Sequence, residues 1–406
     1  MNASAMMQFI CDNAYIRTGG SPEERACADA IIAQCAAIGL TAHREPFTVD
    51  MATIRTARLE ADGRTVPCLG YLCAGSHTVD APLYYLRSSD PASLAACRGK
   101  IVLLDGALNH ATYQNLLRHG ALGFISCNGD VHRPDEAIDQ RELRRIVVGD
   151  GEKLPGVNIH AKSALALVSG GAKTAKITLE QEEYTGESQN VLLELPGESP
   201  ETILFTAHYD STALSQGAYD NLSGCAVMLH LIDRFRTHPH RRTLRFLFCG
   251  SEERFLLGSQ AHVQMHADTL AQIVLDINLD MLGCIMGAFG ARCCAEPSVV
   301  SYIEFFAAEL GVSIPSRQGV HSSDSAPFAD RGIPTVSFAC GAPANFATIH
   351  TIHDTPAVLS GDQLLADAEV VFAFADRMAN AVNFPIPRTV PDNMRRELDK
   401  YFCRTN

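Results

Sequence analysis

The chain has 406 residues, of which 47% are hydrophobic and 19% charged, so it can bury a large core and exceeds the usual size of one domain. Its formal net charge of −13 and its pI near 5.6 argue against a nucleic acid or an anionic membrane as partner, because those partners need clustered Lys and Arg. A soluble protein with a peptide or small-molecule substrate fits better, and a homo-oligomer is compatible with these features.

The beginning of the chain and its cysteines predict a cytoplasmic protein. The first twenty residues lack a basic leader followed by a long apolar stretch, and no window approaches 18 uninterrupted apolar residues. Fourteen cysteines are dispersed without a C-x-x-C pair. Several of them (Cys225, Cys249, Cys340) lie in apolar runs, where Cys behaves as a small hydrophobe, so we expect reduced thiols.

The first confident element is a helix over residues 21–39. Ser21 can cap it, Pro22 suits the first helical position, and Glu24 completes a capping box before apolar spacing runs to Gly39.

Residues 56–185 have a different pattern, with short strands broken by Gly and Pro. One strand–helix–strand unit is embedded there, with the sequences RGKIVLLDG, ATYQNLLRHG and ALGFISC. The histidines of this region are scattered, which is typical of surface or hydrogen-bonded side chains and not of a metal site. We predict a separate small module.

After residue 186, strands and helices alternate. Strands are predicted at 201–208, 242–249, 273–280 and around IPTVSFAC, and helices at 254–266, from Pro297 to Gly311 and at 361–383. Such alternation indicates an α/β fold, a three-layer sandwich whose mostly parallel central sheet is covered by helices on both faces, interrupted by a smaller β-rich α+β domain. The predicted division is 1–55 with 186–390 (catalytic domain), 56–185 (insert) and 391–406 (C-terminal tail).

Polar side chains follow the ends of three of these strands. His208 ends one strand, Glu252 and Glu253 follow another, and Asp280 ends a third. Because ligands bind at the carboxyl ends of the strands in such sheets, these residues should meet at one rim. Two divalent ions about 3.5 Å apart need His and carboxylate ligands with a bridging carboxylate. Asp220, in a loop just before a helix, is our choice for the bridge.

Two further roles follow from position. Asp210 is placed to accept the second N–H of a metal-bound His208 and so to orient it. The adjacent glutamates must diverge, so one can bind metal while the other holds the proton taken from metal-bound water.

Two choices depend on spacing. Asp276 and Asp280 lie on one face of their strand, and Asp280 is preferred because it is nearer the strand end. His350 and His353 compete for the last ligand, and spacing does not choose between them.

Taken together, five ordered motifs resemble the di-zinc aminopeptidase family that includes bacterial leucyl aminopeptidases and glutamate carboxypeptidase II. The motifs are H-Y-D-S (208–211), G-A-Y-D-N-L-S-G (217–224), S-E-E-R-F-L-L-G-S (251–259), N-L-D-M-L-G (278–283) and I-H-T-I-H-D-T (349–355). The resemblance covers residues 21–40 and about 186–383. Residues 56–185 look, more weakly, like the protease-associated domain inserted in many members.

The resemblance implies a role for each motif residue. His208 and Asp280 would hold one zinc ion, Glu253 and His350 the other, and Asp220 would bridge them. Glu252 would be the general base. The family pattern I-H-T-x-x-D-T favours His350 over His353.

Two positions depart from the family pattern. Phe255 stands where members commonly have Gly, so it would reshape the loop near the base or fill a specificity pocket. Ile349 replaces a Tyr that stabilises the oxyanion in some members, so Tyr209, Tyr219 or a group in residues 321–328 would have to substitute.

The predicted function is a metallo-exopeptidase that hydrolyses N-terminal amino acids from peptides by a metal-activated water at a two-zinc centre. Alternatives are a carboxypeptidase-type or glutaminyl-cyclase-like enzyme of the same fold and a non-catalytic binding protein. A serine hydrolase is disfavoured because no G-x-S-x-G occurs. Two imidazoles with carboxylates suit zinc, and cobalt or manganese are possible substitutes.

Overall fold

A computed structural model of the protein describes residues 1–133, 135–149, 151–344 and 346–404. It divides the chain into two compact units. The first, here called the main unit, comprises Met1–Val49 and the chain from Glu187 onward, and the second, the inserted unit, comprises Asp50–Gly186. The sequence had placed the insert at residues 56–185.

The bounds of the helices and strands are as follows. The helices are α1 (Ala3–Asn13), α2 (Pro22–Ala37), α3 (Pro91–Ala95), α4 (His110–Arg118), α5 (Arg145–Val148), α6 (Ala161–Ser169), α7 (Ser223–Phe235), α8 (Leu257–Met265), α9 (Pro297–Leu310), α10 (Ser325–Asp330), α11 (Gly361–Asn380) and α12 (Asp392–Tyr401). The strands are β1 (His43–Ala61), β2 (Arg64–Val66), β3 (Leu69–Gly70), β4 (Thr78–Tyr85), β5 (Ile101–Leu103), β6 (Gly123–Asn128), β7 (Gly156–His160), β8 (Thr174–Leu195), β9 (Ser199–His208), β10 (Arg242–Cys249), β11 (Ile273–Leu279), β12 (Ala288–Cys294), β13 (Ser316–Gln318) and β14 (Thr335–Gly341).

The strands of the main unit form a mixed sheet in the order β13-β12-β14-β11-β9-β10-β8. The central neighbours β14, β11, β9 and β10 are parallel, whereas β12 runs antiparallel to β14 and β8 antiparallel to β10. The α/β prediction is therefore confirmed, with antiparallel strands added on both sides of a parallel centre.

Side chains of β9 alternate between two cores, which explains the layers of the main unit. Ile203 and Phe205 pack in the larger core together with residues of α1, α7 and α11. Leu204 points the other way and packs with Val263 of α8 and Phe328 of α10. Because successive strand residues face opposite sides, a continuous apolar strand is buried between helices on both faces.

The inserted unit has its own core. Strands β4, β5, β6 and β7 pair in parallel, and β3 adds antiparallel to β7. Its interior is built around Phe124, against which Tyr71 and Tyr113 pack edge-on at centroid distances of 4.9 and 6.0 Å. A unit of this composition can fold around its own apolar cluster, as the change of sequence pattern predicted.

The N-terminal helix begins as predicted, but Glu24 does not complete a capping box. The Ser21 hydroxyl accepts a hydrogen bond from the N–H of Glu24 at 3.1 Å. The Glu24 carboxylate instead accepts from the N–H of Gly20 and from the N–H of Ser251, both at 2.7 Å. Glu24 thus accepts from the N–H of Ser251, far away in the chain, although the local sequence predicted that it would cap its own helix.

The segment predicted as one helix over 254–266 is broken at its start. Glu252–Arg254 form a single 3₁₀ turn, and α8 begins only at Leu257. Phe255 and Leu256 lie between them with φ of 77° and 60°. Positive φ is costly for side chains with a Cβ and ends regular helix geometry, which is why the apolar spacing alone extended the helix too far.

The C-terminal segment 391–406 is not a separate tail. Helix α12 places Met394 and Leu398, one helical turn apart, in a small core with Leu256 and Ala326 of the main unit. Thr405 and Asn406 lie outside the described residues. Within the described residues, no helix combines the length and apolarity needed to cross a membrane.

Candidate metal centre

Strand register brings the predicted residues to one rim. In the parallel pair β9–β10, Cys249 lies opposite His208. In the pair β9–β11, Asn278 lies opposite Thr206, so Asp280 comes level with His208. The carboxyl ends of the three strands therefore deliver His208, the Glu252–Glu253 turn and Asp280 to the same edge.

His208, Asp220 and Asp280 form the first candidate ligand group. Oδ1 of Asp220 lies 3.0 Å and Oδ1 of Asp280 lies 3.7 Å from Nε2 of His208. All three side chains are buried, and one potential ligand atom from each lies within 4.8 Å of the others. Burial acts to lower the pKa of His208, but the surrounding carboxylates, Glu252 foremost, raise it well above its usual value.

Asp220, Glu253 and His350 form the second group. Nε2 of His350 lies 3.0 Å from Oδ2 of Asp220 and 3.1 Å from Oε2 of Glu253. Asp220 thus turns one oxygen towards each histidine, which is the geometry expected of a bridging carboxylate. Its own position is set by Asp354, whose buried carboxylate accepts from the N–H groups of Tyr219 and Asp220 at 2.7 and 3.2 Å.

Asp210 lies between the histidine and the glutamate turn. Its Oδ1 lies 3.4 Å from Nδ1 of His208, which makes no hydrogen bond among the described residues. The same carboxylate accepts from the N–H groups of Glu252 and Glu253 at 2.9 and 3.1 Å. Asp210 therefore anchors the glutamate turn, a contact that the sequence did not indicate, whereas its role in orienting His208 stays a prediction.

Glu252 and Glu253 diverge as their adjacency requires. Glu253 faces His350, whereas Oε2 of Glu252 is 4.0 Å from Nε2 of His208 and Glu252 belongs to neither ligand group. Burial raises the pKa of Glu252 well above its usual value, and the neighbouring carboxylates add to the effect of burial. Burial, followed by the charge of Asp220, raises the pKa of Glu253.

Asp276 and His353, the alternatives to Asp280 and His350 as metal ligands, lie outside both ligand groups. Asp276 is fully buried on β11, where its Oδ1 accepts from the Thr206 hydroxyl at 3.0 Å, and it is in neither ligand group. His353 is exposed and is also in neither group. The choices of Asp280 and His350 therefore agree with where the side chains lie.

The two tyrosines suggested as oxyanion donors are occupied elsewhere. The Tyr209 hydroxyl is buried and donates to the carbonyl of Gln189. The Tyr219 hydroxyl donates to the carbonyl of Cys340. Both hydrogen bonds satisfy carbonyl groups inside the fold, so neither tyrosine presents a donor to the rim, and that expectation is wrong for these two residues.

Residues 321–328 were also suggested as the source of an oxyanion donor, and two of them, His321 and Asp324, lie near the rim. Nε2 of His321 lies 3.9 Å from Oδ2 of Asp280 and has no hydrogen-bond partner among the described residues. Burial lowers the pKa of His321 and so favours its neutral form. Asp324 is fully buried, accepts from the Ser259 hydroxyl at 2.6 Å, and has its pKa raised by burial to about 7.

Phe255 and Ile349 contribute apolar contacts, not polar chemistry. The Phe255 ring stacks on Tyr401 of α12 at 5.6 Å and meets Phe402 edge-on at 6.0 Å. Ile349 packs against the larger core. Phe255 thus secures the C-terminal helix, and its positive φ explains why a glycine would suit the position.

Two buried N-terminal residues were given no role near the site by sequence reasoning. Arg17 is fully buried, and its guanidinium donates to the carbonyls of Tyr209 and Gln216 and, at 2.7 Å, of Gly217. Glu24 accepts from Ser251, next to the Glu252–Glu253 turn. A buried Arg or Glu gives no local sequence signal, because its partners lie far away in the chain.

The donor set fits divalent cations. Five carboxylates (Asp210, Asp220, Glu252, Glu253 and Asp280) are gathered around the buried imidazole of His208 and the exposed imidazole of His350. Oδ1 of Asp280 is buried without a hydrogen-bond partner among the described residues. Buried charge of one sign is costly unless it is neutralised, and imidazole with carboxylate oxygen is a suitable ligand set for zinc and related ions.

Comparisons with known proteins find similarity to peptidases. Residues 190–375 match the sequence model of Peptidase family M28. Aminopeptidase YwaD of Bacillus subtilis is 29% identical over 238 residues, which are 55% of this chain and 51% of that protein. The chain thus spans about half the length of this curated relative. The matched family range begins after the inserted unit, whose resemblance to a protease-associated domain stays a prediction.

Solved structures show the fold. The structure of BSAP, a zinc aminopeptidase from Bacillus subtilis, superposes with a TM-score of 0.79 at 24% identity, covering 96% of this chain and 99% of that one. An aminopeptidase from Aneurinibacillus sp. strain AM-1 gives a TM-score of 0.76 at 24% identity, with 95% and 96% coverage. Both likenesses extend over both units of the chain.

Proposed function

We propose that this chain, whose residues 190–375 match the model of Peptidase family M28, is a metallo-exopeptidase that removes the N-terminal residue from peptides at a centre of two zinc ions. The observation that carries the proposal is Asp220, whose two oxygens face His208 and His350 at 3.0 Å each. One carboxylate shared by two ligand groups is the arrangement that two neighbouring cations require.

The ligands divide between the two ions. His208 and Asp280 would hold one, Glu253 and His350 the other, and Asp220 both. When bound, the ions supply positive charge that polarises the scissile carbonyl and lowers the pKa of a water molecule towards neutrality. Asp210 keeps the His208 ring in place and aligns the glutamate turn, so the centre is held in a fixed geometry.

Glu252 is the proposed general base. It stands beside His208 but outside both ligand groups, and its N–H is fixed by Asp210. A carboxylate in this position can accept the proton of the attacking water and then deliver it to the leaving amine. Base and acid are the same group at successive steps, so no second proton donor is required.

The first experiment tests the general base. Glu252→Gln keeps the size of the side chain but cannot accept a proton, so we expect it to retain metal content and lose most peptidase activity. Metal is measured by elemental analysis after gel filtration, and activity with fluorogenic aminoacyl substrates. A near wild-type rate for Glu252→Gln would remove Glu252 from this role.

The second experiment tests the class of substrate. Free-amine aminoacyl substrates should be hydrolysed by the zinc-loaded protein, whereas the same substrates with an acetylated amine should not. The reverse preference would support a carboxypeptidase-type enzyme, and cyclisation of N-terminal glutamine without hydrolysis a glutaminyl-cyclase-like one. If neither occurred although metal was bound, a non-catalytic binding protein would be favoured.

A cytoplasmic location is part of the proposal. It is supported by fourteen free cysteines, ten of them buried, a pattern suited to a reducing compartment. Fractionation of the native host tests it, since recovery with secreted or membrane fractions would contradict it.

A further inference from the structure

A second group of side chains that could hold a metal ion lies at the C-terminal half of helix α8 and the beginning of β1, outside the centre described above. It consists of Glu45, His262 and His266, and shares no residue with the ligand groups around Asp220. His262 and His266 are one helical turn apart, so their rings lie on the same face of α8, with centroids 4.4 Å apart. Glu45, from the beginning of β1, faces both rings.

We propose that Glu45, His262 and His266 form an additional binding site for a divalent transition-metal ion such as zinc. Oε2 of Glu45 lies 2.8 Å from Nδ1 of His262, and Oε1 lies 2.5 Å from Nε2 of His266. One potential ligand atom from each of the three residues lies within 4.8 Å of the others. Imidazole and carboxylate donors together suit zinc and its neighbours in the first transition series.

The burial of the three residues suits an ion that reaches the site from solvent. His262 is fully buried, the Glu45 side chain is 12% exposed and the His266 side chain 31% exposed. The chain therefore fixes two ligands firmly and leaves an open side where water can complete a four-coordinate shell. The Asn190 amide, 3.4 Å from Oε2 of Glu45, further restrains the carboxylate.

The surroundings of His262 set the expected strength of binding. Its Nε2 is buried without a hydrogen-bond partner among the described residues, and its ring lies against Phe328 with centroids 5.9 Å apart. When Nδ1 binds a metal, Nε2 carries the proton, and the absence of an acceptor for it lowers metal affinity by about 10–100-fold. We therefore expect weaker binding than at the Asp220 centre.

A bound ion would link β1 to the C-terminal end of α8 within the main unit. Glu45 belongs to β1, His262 to α8 and His266 to the C-terminal cap of α8, the helix that follows the Glu252–Glu253 turn. An ion that binds the folded chain and not the unfolded one stabilises it by mass action. The expected consequence is a metal-dependent gain in stability that does not require catalysis.

The test compares zinc content in the full-length protein. Wild type, His266→Gln and Glu45→Gln are loaded with zinc, freed of excess by gel filtration and analysed by elemental analysis. His238→Gln is the control, because His238 is also half-exposed and pairs with a carboxylate, Asp376 at 2.8 Å, but has no second histidine in that pair. We expect about one zinc fewer per chain in the two site variants than in wild type and in the control.

A second measurement isolates the additional site from the Asp220 centre. In an Asp220→Asn background, added zinc should still raise the melting temperature, and His266→Gln in the same background should abolish that rise. Equal zinc content in wild type and His266→Gln, with equal melting shifts, would overturn the proposal and leave a hydrogen-bonded Glu–His–His group only. Both measurements compare zinc content or melting temperature between variants and need no activity assay. Their outcome therefore does not depend on whether the protein is a peptidase.

Discussion

The carboxylate of Glu24 accepts a hydrogen bond from the backbone N–H of Ser251, 227 residues away in the chain, at 2.7 Å. Ser251 has a φ of 52° and directly precedes the glutamate turn. The Ser188 hydroxyl donates to the same carboxylate at 2.9 Å. A completely buried acid thus fixes the start of the segment that carries the proposed general base.

We predict that Glu24→Gln lowers kcat by about 10–100-fold with little change in KM, the range typical of residues that support a metal site from outside it. Each Glu24 oxygen accepts a hydrogen bond from a backbone N–H. The Gln amide has an NH₂ donor in place of one of these oxygens, so one hydrogen bond is lost and the Glu252–Glu253 turn is displaced. Steady-state kinetics and metal analysis check this. Asp276→Asn is the matched control, a buried acid on β11 that should lose stability at most, and equal kcat losses in both variants would contradict the prediction.

The two oxygens of Asp220 predict the effect of Asp220→Asn. The amide keeps the size of the side chain but removes the negative charge shared by both ligand groups. Residues that only hydrogen-bond to metal ligands change zinc affinity by up to roughly 100-fold when they are mutated, so we expect a larger loss of zinc affinity here. Competition with a chromophoric chelator measures it. Glu252→Gln is the comparison, and a full zinc complement in Asp220→Asn would show that Asp220 is not the bridge.

His321 is the donor that remains near the centre after the tyrosines are excluded. We predict that His321→Leu lowers kcat by about 10²-fold, the cost of removing one oxyanion donor, without loss of zinc. His321→Gln, which retains an N–H group, should recover part of the activity. Wild-type kcat in His321→Leu would refute the role, and loss of zinc would instead make His321 a support for Asp280, 3.9 Å away.

Glu201 provides a pH test of stability far from the metal centre. Burial acts to raise the pKa of Glu201, but the guanidinium groups of Arg388 and Arg242 lower it below its ordinary value of 4.5. A carboxyl whose pKa is lower in the folded state stabilises the fold above pH 4.5, and this contribution is lost as pH falls below that value. Glu201→Gln should therefore reduce the free energy of unfolding at pH 7 by about 1 kcal/mol.

The measurement for Glu201 is denaturant unfolding at several pH values. The difference between wild type and Glu201→Gln should shrink as the pH is lowered below 4.5, because both side chains are then uncharged. A difference that stays constant over this range would show that the charge of Glu201 contributes nothing.

The candidate ligands at the strand ends could be predicted because their signals are local. His208 and Asp280 end apolar strands and Asp220 precedes a helix, and parallel strands in an α/β sheet present such positions at one edge. The same local rules predicted β10 with its observed bounds and α9 from Pro297 to Leu310. They overextended α8, since nothing in the apolar spacing reveals the positive φ of Phe255 and Leu256.

By itself, then, the sequence determined the fold class, the types of ligand and their place at the strand ends, because each depends on neighbours within a few residues. Tertiary structure decided which partner each polar group has. Glu24 accepts from the N–H of Ser251, and the Tyr209 and Tyr219 hydroxyls donate to buried carbonyls. His321 lies at the rim near Asp280. The physical reason is that a buried hydrogen-bonding group must find a partner wherever the fold brings one, and that partner is often hundreds of residues away.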